Sequence, residues 1–105
     1  MDNFRDFRAL NLSLLREPED ANVYLQVALE EYENTGDTDA LLSVLRDVTE
    51  AQGGMTQMAQ KINRSRQSLY KALSPKGNPR LDTFLLLLHA LGLRLAIEPQ
   101  RATLK

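Results

Sequence analysis

The sequence predicts an all-α domain of five helices, with a helix-turn-helix at residues 56–73 and a short C-terminal β-strand at residues 93–98. Apolar residues recur at helical spacing in five stretches that turn residues separate, and a sixth stretch at the C-terminal end alternates in the way of a strand. A chain of 105 residues is long enough for one core but not for two. We therefore expect one domain at residues 17–99, an N-terminal docking arm at residues 1–16 and a tail at residues 100–105.

The arm is rich in large apolar side chains but lacks a regular period. It mixes acids with arginines and has no long apolar run, so it is not a secretory signal. An arm of this kind usually lies on its own core, and it can also lie on a second copy of the chain or on a different partner. The residues available for such a contact are Phe4, Phe7, Leu10, Leu12, Leu14 and Leu15.

Two amphipathic helices are predicted next. The first begins at Pro18 and runs to about Glu33, because proline suits the first helical position and acids suit the positive end of the helix dipole. Gly36 interrupts the pattern, and Asp37 or Thr38 is expected to cap a second helix that ends before two glycines. The expected buried residues are Ala21, Val23, Leu25, Val27, Ala28, Leu29 and Tyr32, then Leu41, Leu42, Val44, Leu45, Val48 and Ala51.

The helix-turn-helix is predicted from two short helical patterns that lie back to back. Asn63 between them tolerates a positive φ, and Ser65 can cap the second helix by accepting a backbone N–H bond. Ala59 is small where the two helices would cross. The apolar residues Met58, Ala59, Ile62, Leu69, Ala72 and Leu73 would then face inward, which leaves Arg66, Gln67, Ser68, Tyr70 and Lys71 facing outward. An exposed row of donors at a helix start suits a DNA groove.

The last part of the domain is predicted to hold a loop, a helix and a strand. The loop at residues 74–80 has two prolines and a glycine, and its Lys76, Asn78 and Arg80 suit phosphate groups. A leucine-rich helix follows to about Leu91, with Gly92 as its stop, and is expected to be core and partly a dimer face. The strand needs a partner, which could be an N-terminal segment, the same strand of a second chain, or another protein's edge strand.

Charge is divided unequally along the chain. Residues 1–54 carry four arginines and twelve acids (4 − 12 = −8), whereas residues 55–105 carry nine basic residues and two acids (9 − 2 = +7). No Asp or Glu occurs from residue 51 to residue 81, a stretch that holds six Lys and Arg side chains. A one-sign basic stretch over a helix-turn-helix is typical of a phosphate-backbone contact. The acidic half indicates a basic protein partner or a solvated helix surface.

Several functional classes are disfavoured by composition. Cysteine is absent, so disulfides and thiolate metal sites are impossible, and the chain suits a reducing cytoplasm. The longest apolar run, residues 84–93, is too short to span a bilayer. His89 is the only histidine, and no phosphate-binding glycine loop or nucleophile with a base is present. We therefore expect neither an enzyme nor a cofactor or metal site.

A family resemblance adds to these physical arguments. The run GGMTQMAQKINRSRQSLYKALSPKGNPRLDTFLLLLHALGLRLAIEP, with the sequence upstream of it to about residue 15, resembles the HigA-type addiction-module antidotes, which are Cro/repressor-like helix-turn-helix regulators. SRQSLYKAL followed by GNP and LGLRL is the most specific part. The resemblance implies a cytoplasmic homodimer that neutralises a RelE/HigB-like toxin encoded beside it, binds double-stranded operator DNA and represses their shared operon.

The resemblance also implies which residues bind each partner. Met55 stands where a phosphate-binding glutamine is frequent in the wider superfamily. The phosphate contact expected there is therefore assigned to Thr56 and Gln57. The implied DNA-binding residues are Thr56, Gln57, Ser65, Arg66, Gln67, Ser68, Tyr70, Lys71, Lys76, Asn78 and Arg80. The toxin is expected on the acidic half, with Phe4, Phe7 and Leu10 contributing apolar contact. The alternative is a stand-alone phage-type repressor without a toxin, which would differ only in the task of the first 54 residues.

Overall fold

The structure, a computed structural model, describes residues 17–100 and contains five helices in this part of the chain. They are α1 (Pro18–Thr35), α2 (Thr38–Ala51), α3 (Gly54–Lys61), α4 (Arg66–Leu73) and α5 (Leu81–Ala90). The predicted all-α fold is thereby confirmed. The predicted arm and the tail beyond Gln100 lie outside the described residues. None of these five helices is both long and apolar enough to cross a membrane.

Helix α2 forms the centre of the fold, because it packs on α1, α3 and α4, while α5 packs on α3. Its Leu42, Leu45 and Val48 are fully buried, and the hydroxyl of Thr49 donates to the Leu45 carbonyl oxygen at 2.8 Å. Apolar side chains from all five helices meet around it in a single cluster. This core contains Ala21, Leu25, Leu42, Leu45, Val48, Met55, Met58, Ala59, Ile62, Leu69, Leu73, Leu87, Leu88 and Leu91.

Helix α1 buries a narrower stripe than its sequence predicts. Ala21 and Leu25 are buried and Ala28 and Leu29 are half-buried, but three residues expected in the core are exposed: Val23 at 64%, Val27 at 58% and Tyr32 at 38%. A helix that packs mainly on one neighbour buries only the side that faces it. The outer side of α1 therefore carries apolar groups that the described core does not cover.

Local sequence chemistry explains where two of the helices begin and end. The Asp37 carboxylate accepts the Ala40 N–H at 3.1 Å and caps α2, as predicted. Gly92 follows α5 with φ +86°, and a Cβ at this position would lie 3.0 Å from the Pro18 ring. Because the backbone is left-handed and the start of α1 approaches so closely, this position requires glycine.

The predicted strand at residues 93–98 is not formed. Within the described part of the chain this segment has no regular secondary structure, although the Leu93 N–H donates to the Leu88 carbonyl oxygen at 2.9 Å. Leu95 is 48% exposed and Ile97 is 93% exposed. An alternating sequence has the composition of a strand, but a strand also needs a second backbone to pair with, and no described segment supplies one.

Candidate nucleic-acid interface

Helices α3 and α4, joined by a short turn, lie where the sequence predicts a helix-turn-helix. Asn63 in the turn has φ +58°, a value that asparagine tolerates better than most residues. The Arg64 N–H donates to the Ala59 carbonyl oxygen at 2.9 Å and closes the turn. Ala59 is 2% exposed and packs in the core formed by the two helices and their neighbours. A small side chain is therefore buried at this position, as the sequence predicts.

Helix α4 has only eight residues, too few for stability as an isolated helix, so caps and core contacts must hold it. The Ser65 hydroxyl accepts the Ser68 N–H at 3.0 Å, as predicted, and satisfies one orphan donor of the first turn. Leu69 and Leu73 are each 1% exposed. These two leucines fix the rotation of α4 about its axis, so the opposite side of the helix faces solvent.

All of the predicted DNA-binding side chains are exposed, and they lie on α3, at the N-cap of α4, on α4 and in the loop that follows. The Arg66 guanidinium stacks on the Tyr70 ring, 4.7 Å from its centroid, and approaches the Tyr70 hydroxyl at 3.4 Å. Gln57 instead folds back over Gly53, in space that a Cβ would occupy. The exposed set is Thr56, Gln57, Ser65, Arg66, Gln67, Ser68, Tyr70, Lys71, Lys76, Asn78 and Arg80.

The loop after α4 is anchored on α2. The Lys76 N–H donates to a carboxylate oxygen of Asp39 at 2.6 Å, and the Lys76 φ is +64°. Gly77 approaches the end of α4 so closely that a Cβ would collide with the carbonyl oxygen of Ala72. The loop backbone is thus fixed beside α4, while the Lys76 side chain remains exposed.

A second contact joins α2 to the end of α4. The Arg46 guanidinium donates to the carbonyl oxygen of Leu73, which is one of the unpaired acceptors of the last turn. Arg46 and Asp39 are seven positions apart on α2, roughly two turns, so they lie on the same side of that helix. Sequence reasoning missed both contacts, because they join residues 27 and 37 positions apart. No local pattern indicates either of them.

The Asp82 carboxylate borders the basic surface near Arg64 and Arg80. Asp82 at the start of α5 accepts the Thr83 N–H at 2.7 Å, and it lies 3.4 Å from the Arg80 Nε and 3.8 Å from an Arg64 guanidinium nitrogen. Partial desolvation raises the pKa of Asp82, but the Thr83 N–H bond and the charges of Arg80 and Arg64 outweigh it. The pKa of Asp82 therefore lies below its usual value of 3.8.

A different surface covers α1 and the start of α2. Residues 17–45 contain eight acids and no Lys, Arg or His. Between the two helices lies an open groove of about 260 Å³, bordered by Glu31 and Asp37. Its apolar lining is Tyr24, Val27, Ala28, Tyr32, Leu41 and Val44. The predicted contacts Phe4, Phe7 and Leu10 lie outside the described residues.

Comparison with known proteins identifies relatives of the chain. The sequence model of a family described as "Probable addiction module antidote protein" matches residues 7–99. An uncharacterised protein of Haemophilus influenzae is 34% identical over 87 residues, which cover 83% of this chain and 84% of that protein. No solved structure matches the chain.

Proposed function

The chain belongs to the family of probable addiction module antidote proteins, and on this basis we propose that it is a DNA-binding antitoxin. In this function a homodimer neutralises a RelE/HigB-like toxin encoded beside it and represses the operon that encodes both proteins. The observation that carries the DNA-binding part is the exposed start of α4, which lies within an acid-free stretch from residue 51 to residue 81. A protein that binds operator DNA must be in the same compartment as the chromosome, so we propose that it is cytoplasmic.

Base recognition is assigned to the first turns of α4. Arg66 and Gln67 are exposed there, and guanidinium and amide groups make bidentate bonds to guanine and adenine in the major groove. The stacking of Arg66 on Tyr70 restricts the guanidinium before DNA arrives, which lowers the entropy cost of binding. Both side chains keep free donors for the base edges.

Phosphate contacts are assigned to the charges around that helix. Lys71 on α4 and Lys76 and Arg80 in the loop are exposed, and their charges would set the position of α4 on the duplex without reading sequence. Arg46 and Asp39 hold the end of α4 and the loop backbone against α2, so the backbone that carries Lys71 and Lys76 is anchored although their side chains are exposed.

The toxin is assigned to the acidic surface of α1 and α2. Toxins of the RelE type are basic because they act on RNA, as the family resemblance implies, and opposite net charge speeds encounter and rejects wrong partners. Exposed ion pairs contribute little affinity, so the interface also needs apolar contact. The groove beside Val27 and Tyr32 offers such contact, and the arm residues Phe4, Phe7 and Leu10 are proposed to add to it.

A homodimer is proposed because a single reading helix contacts too few base pairs to be selective. Two copies related by a two-fold axis would bind half-sites about 34–36 Å apart, one helical turn of DNA, or a multiple of that spacing. A footprint of one unrepeated half-site occupied by a monomer would contradict this part of the proposal.

The proposed function is tested by separating its two activities. The protein encoded beside this chain is expected to stop growth when expressed alone and to be neutralised by co-expression of the full chain. The DNA upstream of the coding region is expected to be shifted by the purified chain in a gel. Arg66→Ala should weaken the shift by about 1–3 kcal/mol of binding free energy and retain neutralisation, since Arg66 lies on α4 and not on the acidic surface of α1 and α2. A chain that shifts the DNA but neither binds nor neutralises its neighbour would be the stand-alone repressor instead.

A further inference from the structure

The segment at residues 93–98 has the properties of an edge that lacks its partner. Among residues 17–100, no backbone hydrogen bond reaches residues 94–98, and neither Arg94 nor Glu98 forms an ion pair. Ile97 is 93% exposed and Leu95 is 48% exposed, so two large apolar side chains face solvent on alternate positions. Unpaired strand edges with apolar side chains readily pair with another chain.

We propose that residues 93–98 pair antiparallel with the same residues of a second copy, about a two-fold axis through Ala96. In this register Arg94 of each copy lies opposite Glu98 of the other, and Leu95 lies opposite Ile97. Residues directly opposite in an antiparallel pair point to the same face, so both ion pairs and both apolar pairs can form. No other antiparallel register of this segment with itself places an acid opposite Arg94.

The surroundings of the segment favour the same partner. An open groove of about 420 Å³ lies between the segment and α1, with Leu25, Leu29 and Leu88 in its lining. Apolar side chains of a second copy at the segment would partly cover this groove and remove further surface from water. The contact is isologous, because the same residues serve both copies, and it therefore generates the two-fold axis that a symmetric operator requires. The inference thus deepens the proposed DNA-binding function and rests on it.

Ile97→Asp in the full chain tests the interface directly. Since Ile97 is almost fully exposed in the single chain, its replacement should leave the helical circular dichroism unchanged. Sedimentation equilibrium should show that the dissociation constant of the dimer rises by about tenfold or more, because an acid then faces Leu95 in each of the two apolar pairs. Val23→Asp is the matched control, since Val23 is a β-branched residue on α1 that is 64% exposed and lies outside residues 93–98. A dimer that is unchanged by Ile97→Asp, or one that is weakened equally by Val23→Asp, would overturn the proposal.

A charge exchange tests the register. Arg94→Glu alone places two acids opposite each other at both ends of the pair, and Glu98→Arg alone places two arginines there, so each variant should dimerise more weakly than the wild-type chain. An equimolar mixture should form a heterodimer, because every Glu of the first variant then faces an Arg of the second. The chain that carries both changes should again form a homodimer. If neither the mixture nor the double variant recovers association, the register is wrong.

A gel shift with the DNA upstream of the coding region separates this inference from the function on which it rests. If the interface is correct, Ile97→Asp should lower both the affinity of the chain for this DNA and its affinity for a second copy. If the wild-type chain dimerises through residues 93–98 but does not shift the DNA, the proposed DNA-binding function fails and the interface stands. If Ile97→Asp shifts the DNA as the wild-type dimer does, the interface fails and the function stands.

Discussion

The acidic helix α1 and the basic helix α4 use their residues in opposite ways. Of the 18 residues of α1 only Ala21 and Leu25 are buried, whereas the eight residues of α4 include the buried Leu69 and Leu73. The side chain of Glu17 does not cap α1 through a hydrogen bond, whereas Ser65 caps α4 through the Ser68 N–H. For its length, α1 thus has fewer buried side chains than α4, and it lacks a side-chain N-cap.

This difference teaches what each helix is suited to bind. In the proposed function α4 is the reading helix and has to present donors in one fixed orientation, a task that its burial, its cap and the Arg46 bond at its end would serve. The surface of α1 instead offers exposed apolar area at Val23 and Val27 with acids around it, which suits a partner that supplies its own complementary surface. The predictions below test this contrast, beginning with the largest effect.

Removing a core side chain from α4 should have the largest effect. Leu69→Ala is expected to lower the free energy of unfolding by about 2–5 kcal/mol, through lost burial and the cavity left behind. The matched change Val27→Ala on α1 should alter it by no more than about 0.5 kcal/mol, because Val27 is 58% exposed. Urea unfolding at one protein concentration measures both. Equal losses would mean that the outer side of α1 belongs to the core.

Removing a reading side chain from α4 should affect DNA binding and leave the fold intact. Arg66→Ala is expected to cost about 1–3 kcal/mol on the operator and to relax selectivity, since a base contact is lost. Lys71→Ala should weaken binding to all sequences alike and reduce the salt slope by about one unit. Titrations on specific and random duplexes at several salt concentrations distinguish the two. If Arg66→Ala bound the operator as tightly and selectively as the parent, α4 would not be the reading helix.

The parts of this site that sequence could predict are those with local chemistry. Asn63 and Ser65 identify the turn and cap because each acts within three residues of itself, and the acid-free stretch is visible without coordinates. Arg46 and Asp39 could not be found in this way, since their bonds to α4 and its loop depend on how α2 crosses them. The exposure of Val27 was missed for the same reason, because periodicity reports an apolar stripe but not the width of the surface that meets it.

The two side-chain caps provide a matched test of moderate size. Ser65→Ala and Asp37→Ala each remove an oxygen that accepts an N–H three residues later, at 3.0 Å and 3.1 Å, so each should cost about 0.5–2 kcal/mol of stability. Only Ser65→Ala should also weaken operator binding at temperatures where both variants are folded, because it loosens the start of α4. Thermal unfolding and DNA titration are measured on the same samples. If Asp37→Ala lowered operator affinity equally, the contrast between the helices would not hold.

Replacing Asp82, the carboxylate that borders the basic surface, should have the smallest effect. Its lowered pKa means that the folded state favours the charged carboxylate, so its contribution is fully present above the unfolded value and is lost as pH falls through the folded value. The contribution of Asp82 to stability should therefore be constant between about pH 5 and pH 8, and should be lost as the carboxylate is protonated below about pH 4. Asp82→Asn should remove that part of the acid limb in urea unfolding measured across this range. The difference between the wild-type chain and Asp82→Asn should thus shrink as pH falls; a difference that grew with acid would show that Arg64 and Arg80 do not stabilise the carboxylate. Because Asp82 is exposed, its interactions with these arginines are screened by solvent, which is why the change is expected to be smaller than the loss of a cap.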